Sequence, residues 1–232
     1  MTAGLKKFLK VIIPIIIVPV VVIGGMAVFG EKKYAYVASV VAILSCVPFF
    51  MLFEKREQST KRIVILTVMI TLAVVGRWAF AMIPHFKPLT AMVVITGMCL
   101  GAENGFLCGA MSAMISNIIL GQGAWTPFQM MAWGLIGFFA AVFSKQLIAN
   151  KIALIAFAVI SGVFYSLVLD VWTVLWLDGG FNLKRFYASV ITALPVTAVY
   201  AVSNVIFLLL LAEPFRKKLQ RVTNKYGLLN KN

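Results

Sequence analysis

The 232 residues are 62% hydrophobic and only 12% charged, with a net charge of +14. No single water-soluble core could hide that much apolar surface, so the bilayer must serve as solvent. The lysines and arginines sit in short clusters between long apolar runs. That pattern excludes a nucleic-acid binder with a continuous basic face and instead reads as topology information.

In chain order, the first apolar run spans roughly 11–29, after Lys6, Lys7 and Lys10. It resembles a signal peptide, but no small-x-small cleavage site follows, so a retained helix is expected. Further runs cover roughly 34–53, 63–83, 89–120, 128–144, 152–177 and 186–211. The fourth is too long for one span of about 20 residues. Its middle, Gly101-Ala102-Glu103-Asn104-Gly105, is rich in turn formers and predicts a break into 89–101 and 105–120. Both halves are short, predicting either thin helices packed inside the bundle or a re-entrant pair.

These runs predict an all-α integral membrane fold with three parts: a transmembrane hairpin and charged linker over 1–57, a six-helix bundle over 58–212, and a basic cytoplasmic tail over 213–232. With the N-terminus inside, fifteen basic residues fall in inner segments and five in outer ones, with Arg77 near the outer end of a helix. Both termini are therefore predicted to be cytoplasmic.

No Gly-x-x-x-x-Gly-Lys-Ser/Thr loop is present, so the chain carries no ATPase of its own. His85 is the only histidine and the acids are scattered, which gives no basis for a metal site. Cys46, Cys99 and Cys108 lie in or beside apolar segments and read as reduced, buried thiols. The two halves share no motif, which argues against an inverted-repeat transporter.

Polar groups do gather at the predicted outer face. Arg77 and Lys87 flank one external turn; Asn117, Gln122, Trp125, Gln129 and Trp133 form a second cluster; Tyr165 and Asp170 come from a later helix. Amide and indole donors beside glycine turns suit a site for a ring-shaped, amide-rich solute. Each has a plainer explanation: Trp125 as interfacial belt, Asn117 as helix glue, Gln129 and Trp133 as one contact face, Arg77 and Asp170 as a structural ion pair. At the inner end, Thr67 and Thr71 make a small-xxx-small step where another helix could pack closely.

Gly76-Arg77, Lys87-Pro88-Leu89-Thr90-Ala91, Gly105-Phe106-Leu107, Ser116-Asn117 and above all Gly121-Gln122-Gly123-Ala124-Trp125-Thr126-Pro127 resemble the S component, the substrate-binding membrane subunit, of energy-coupling factor (ECF) vitamin transporters. The resemblance is to the cobalamin type and covers about residues 60–212. It implies a subunit that captures a vitamin outside, with cobalamin or a related corrinoid as ligand and not cofactor. It also implies a bacterial plasma-membrane location, and delivery to a transmembrane coupling subunit driven by two ATPase subunits. The family's Ala-x-x-x-Ala docking step is replaced here by Thr67-x-x-x-Thr71. An S component for another vitamin or nucleobase precursor, an intramembrane enzyme using Glu103, Asp170 or Asp178, and a membrane scaffold remain as alternatives.

Overall fold

A computed structural model describes residues 60–225, all of whose regular elements are helices. The predicted hairpin over 1–57 lies outside the described residues. Six longer helices and one short one follow: α1 Thr60–Ala79, α2 Leu89–Leu100, α3 Ala102–Leu120, α4 Thr126–Val142, α5 Ser144–Ala149, α6 Lys151–Asp178 and α7 Leu183–Lys225. Among them α1, α6 and α7 are long and apolar enough to cross a membrane, while α2 and α4 are shorter apolar helices. A helical membrane protein follows, since within hydrocarbon only a helix or a closed barrel satisfies its own backbone.

The centre of the bundle is α2. Eleven of its twelve residues are buried, and it packs against α1, α3, α4, α5 and α7. At about 18 Å it is much shorter than the bilayer core, and burial on every side explains why it reads as apolar all round.

The break inside 89–120 is narrower than the turn expected from Gly101 to Gly105. Only Gly101 leaves the helical region, at φ 94°, and α3 starts at once. Asn104 and Gly105 sit in the first turn of α3 for other reasons: Asn104 Nδ2 donates to the Leu100 carbonyl at 2.7 Å, and Gly105 meets a neighbouring backbone. A Cβ on Gly97 or Gly105 would strike the Gly137 carbonyl, one on Gly137 the Gly105 carbonyl, and one on Gly109 the backbone of Trp133. Glycine removes the side chains that would otherwise hold α2, α3 and α4 apart.

The last helix also departs from expectation. The apolar run ends near 211, yet α7 continues through Pro195 and Pro214 to Lys225. Its 43 residues span about 64 Å, roughly twice the bilayer core. The predicted tail is thus helical as far as Lys225. Leu208, Ala212, Leu219 and Thr223 are buried at spacings of one and two turns, a stripe that outweighs the cost of Pro214.

Helix polarity follows from end contacts. Arg62, near the start of α1, donates to the Leu100 carbonyl at the end of α2 at 2.9 Å, and Arg77, near the end of α1, meets Ser116 and Asn117 near the end of α3. Arg77, loop 80–88, the end of α3 and the start of α4 therefore share one end of the bundle.

Candidate functional site

At that end a chain of polar side chains crosses from α1 to α6. Arg77 Nη1 donates to Ser116 Oγ at 2.5 Å and to Asn117 Oδ1 at 2.8 Å. Asn117 Nδ2 donates to Thr126 Oγ1 and to Gln129 Oε1, both at 2.8 Å. The Thr126 hydroxyl donates to Gln122 Oε1 at 2.8 Å, and Gln129 Nε2 donates to the Tyr165 hydroxyl at 2.8 Å. Every member but Gln122 is buried. In an apolar interior such groups persist only when each is paired.

An aromatic stack lies beside the chain. Trp133, 1% exposed, stacks on Tyr165 with centroids 4.5 Å apart, and Tyr200 meets Tyr165 edge-on at 5.0 Å. The indole nitrogen of Trp133 donates to Thr90 Oγ1 at 3.1 Å. Two cations face these rings: the Arg77 guanidinium lies 5.2 Å from the Trp133 centroid, and Lys87 Nζ lies 5.7 Å from Trp133 and 5.4 Å from Tyr200. The quadrupoles of the rings favour the charged form of both groups, a pull that burial outweighs at Lys87.

Loop 80–88 closes the stack from above and is tied down at two points. The Lys87 backbone exchanges hydrogen bonds with Ser203 Oγ at 2.9 and 3.2 Å, and His85 Nδ1 lies 3.0 Å from the Tyr200 hydroxyl. His85 takes a left-handed conformation, φ 62°, to make that turn.

Burial, and then the neighbouring Arg77, pull the Lys87 ammonium from 10.5 down to about 7. Between those values the unfolded chain holds more protons than the folded one, so stability is expected to rise as pH climbs from about 7 towards 10. Thermal melts across that range should show the slope in the wild type and lose it in Lys87→Met.

Seven of the nine residues expected to bind a solute join this assembly: Arg77, Lys87, Asn117, Gln122, Gln129, Trp133 and Tyr165. Gln129 and Trp133, four residues apart on α4, both address Tyr165 on α6, so their shared face makes an interhelical contact. Trp125 sits at its edge, packed edge-on against Trp172 at 5.7 Å. Asp170 is held elsewhere. It accepts from Ser189 at 2.8 Å on the seam between α6 and α7, so the ion pair with Arg77 weighed from the sequence does not form. One seam runs from Asn204 donating to the Ala158 carbonyl, through Ser166 with Thr197, to Asp170 with Ser189. Arg185 pairs with Asp178 at the tip of the same hairpin.

Sequence reading left Thr90, Ser116, Tyr200 and Ser203 out of the predicted site. The spacing of Tyr200, Ser203 and Asn204 in an otherwise apolar helix was the available signal, because one polar face on a membrane helix must meet partners. Thr67 and Thr71 lie exposed on α1, their hydroxyls turned back onto the Ile63 and Thr67 carbonyls.

The family model for ECF-type riboflavin transporter S components matches residues 57–220. The chain belongs to that family. No curated protein and no solved structure matches it. Membership carries the coarse part of the sequence reading: an S component is a cell-membrane transport subunit, not an enzyme, and works with an ECF module of transmembrane and ATPase subunits. It does not carry the vitamin. The match is to the riboflavin type, and the cobalamin type expected from the sequence finds no support in it.

Proposed function

We infer that this S component captures a flavin-type vitamin, a flat fused ring with carbonyl and ring-nitrogen edges, and presents it to an ECF module. The observation that carries this reading is the stack of Trp133, Tyr165 and Tyr200 beside two cations and two buried amides. Planar rings stack on aromatic faces. The guanidinium of Arg77 and the amides of Asn117 and Gln129 suit ring carbonyls and nitrogens, which would take over from the partners these groups hold within the protein. A corrin with its peripheral amides is much bulkier and would demand a wider opening among side chains that are already packed together. Because Trp133 and Tyr165 already stack on each other, a third ring enters only when loop 80–88 lifts, breaking the ties of His85 to Tyr200 and Lys87 to Ser203.

Titration of the purified full chain tests the reading. Riboflavin fluorescence is expected to be quenched with micromolar or tighter affinity, and cobalamin to leave the protein unchanged. Binding of cobalamin without riboflavin would reverse the assignment.

The exposed face of α1, with Val64, Thr67, Val68, Thr71 and Leu72, supports docking of the coupling subunit there. Bulk at the small step would hold a partner helix away. The double substitution Thr67→Leu and Thr71→Leu is expected to cut ATP-driven uptake at least about tenfold and to leave the riboflavin Kd unchanged. Parallel uptake and titration measurements check it; equal losses in both would remove docking from this face.

A further inference from the structure

At the opposite end of the bundle, two adjoining cavities of about 420 and 140 Å³ open between the end of α2, α5, the start of α6 and the lower part of α7. The larger lies within the ~300–1,000 Å³ range of small-ligand sites. Its wall is apolar, formed by Met98, Leu147, Ile148, Leu154, Leu208 and Leu209. Ile148 and Leu209 are 45% and 46% exposed, so the wall continues onto the outer surface of the helices.

The rim is basic. Lys151 and Arg216 line the larger cavity together with Glu213. Arg216 grips that carboxylate with three hydrogen bonds of 2.8 to 3.0 Å, and Lys217 lies 3.3 Å from it. The one acid on the rim is thus answered twice over, and positive charge is left in excess. Lys218 and Arg221 follow on the same helix, at the end of the bundle where lysine and arginine concentrate.

We propose that this groove holds an anionic phospholipid, its phosphate against Lys151 and Arg216 and one acyl chain along Leu154, Leu208 and Leu209. The argument is charge complementarity joined to depth. A basic rim directly beside an apolar wall, at the edge of the membrane spans, matches the order of phosphate and hydrocarbon in a lipid leaflet, and basic pockets between membrane helices recognise anionic headgroups. A soluble anion would use the rim and leave the wall uncovered. Because α7 runs on past the wall as a basic helix, a lipid wedged between it, α5 and α6 also braces the part of α7 that extends beyond the membrane spans.

Thermal unfolding of the full chain in neutral detergent provides the test, with phosphatidylglycerol, phosphatidylcholine or inorganic phosphate added. Phosphatidylglycerol is expected to raise Tm saturably by several degrees, and the other two not to. Lys151→Gln combined with Arg216→Gln should erase that difference. Leu209→Trp, which keeps every charge but fills the half-exposed wall, should erase it too, guarding against a charge variant that fails to fold. Lys218→Gln, outside the cavities, should retain it. An equal rise with phosphatidylcholine, an equal rise with phosphate alone, or persistence of the preference in Leu209→Trp would each overturn the proposal.

Discussion

Gly137→Leu is expected to abolish the folded bundle, leaving no monodisperse protein in detergent. A Cβ at residue 137 would overlap the backbone carbonyl of Gly105, and the reciprocal overlap arises from Gly97 or Gly105 against the carbonyl of Gly137. Backbone atoms cannot rotate away as a side chain can, so three helices would have to part along their most tightly packed seam. Overpacking alone typically costs about 1–3 kcal/mol, and separating α2 from its neighbours would add the loss of contacts around Val93 and Phe106, both buried. Gly134→Ala is the control. There the atoms nearest the new methyl belong to the Phe106 ring, 2.7 to 2.9 Å away, a side chain that can shift where a backbone carbonyl cannot. Size-exclusion profiles and melting curves should therefore show near-normal behaviour for Gly134→Ala, a clear fall in Tm for Gly105→Ala and collapse for Gly137→Leu. A Gly137→Leu protein melting like the wild type would refute the packing described for this seam.

Asn117→Leu is expected to remove flavin binding by about a hundredfold or more and to lower stability by roughly 2–5 kcal/mol. Asn117 is the junction of the polar chain, receiving Arg77 and donating to both Thr126 and Gln129. Leucine fills similar space but leaves the buried Arg77 with Ser116 and the Trp133 ring, strips Gln129 Oε1 of its donor and leaves Thr126 without one of its donors. Asn117→Asp separates the two consequences. A carboxylate next to Arg77 forms a charge-assisted pair, and Gln129 can turn its amide to donate, so folding is expected to survive. Flavin binding should still weaken, because Arg77 would be neutralised by the protein instead of facing the ligand. Riboflavin titration and thermal melts on the same preparations check both, and unaltered affinity in both variants would take Asn117 out of the binding machinery.

Much of this site was legible in the sequence because a membrane interior punishes polar side chains without partners. Arg77, Asn117, Gln129 and Tyr165 stood out as polar groups within apolar runs, and runs entering from alternate sides had to bring their ends together. Asp170 looked equally conspicuous but was satisfied by Ser189 one helix away. Counting charges could not show that, since an ionised carboxylate only accepts hydrogen bonds and a neutral hydroxyl can donate one to it. Tyr200 was missed because a tyrosine in an apolar helix reads as packing; its place above Tyr165 depends on how α7 lies against α6.

By itself the sequence determined that the chain is helical and membrane-embedded and that it carries no phosphate-loop motif, because hydrocarbon forces each span to satisfy its own backbone and such a loop leaves a recognisable pattern. The tertiary structure decided what those segments do to one another: that a single Gly101 separates α2 from α3, that Gly105 lies in a helix to admit Gly137, that α7 continues through Pro214, and that Arg77 meets Asn117 and not Asp170. Those choices depend on side chains far apart in the chain competing for the same partners, and local hydropathy carries no information about which of them arrives first.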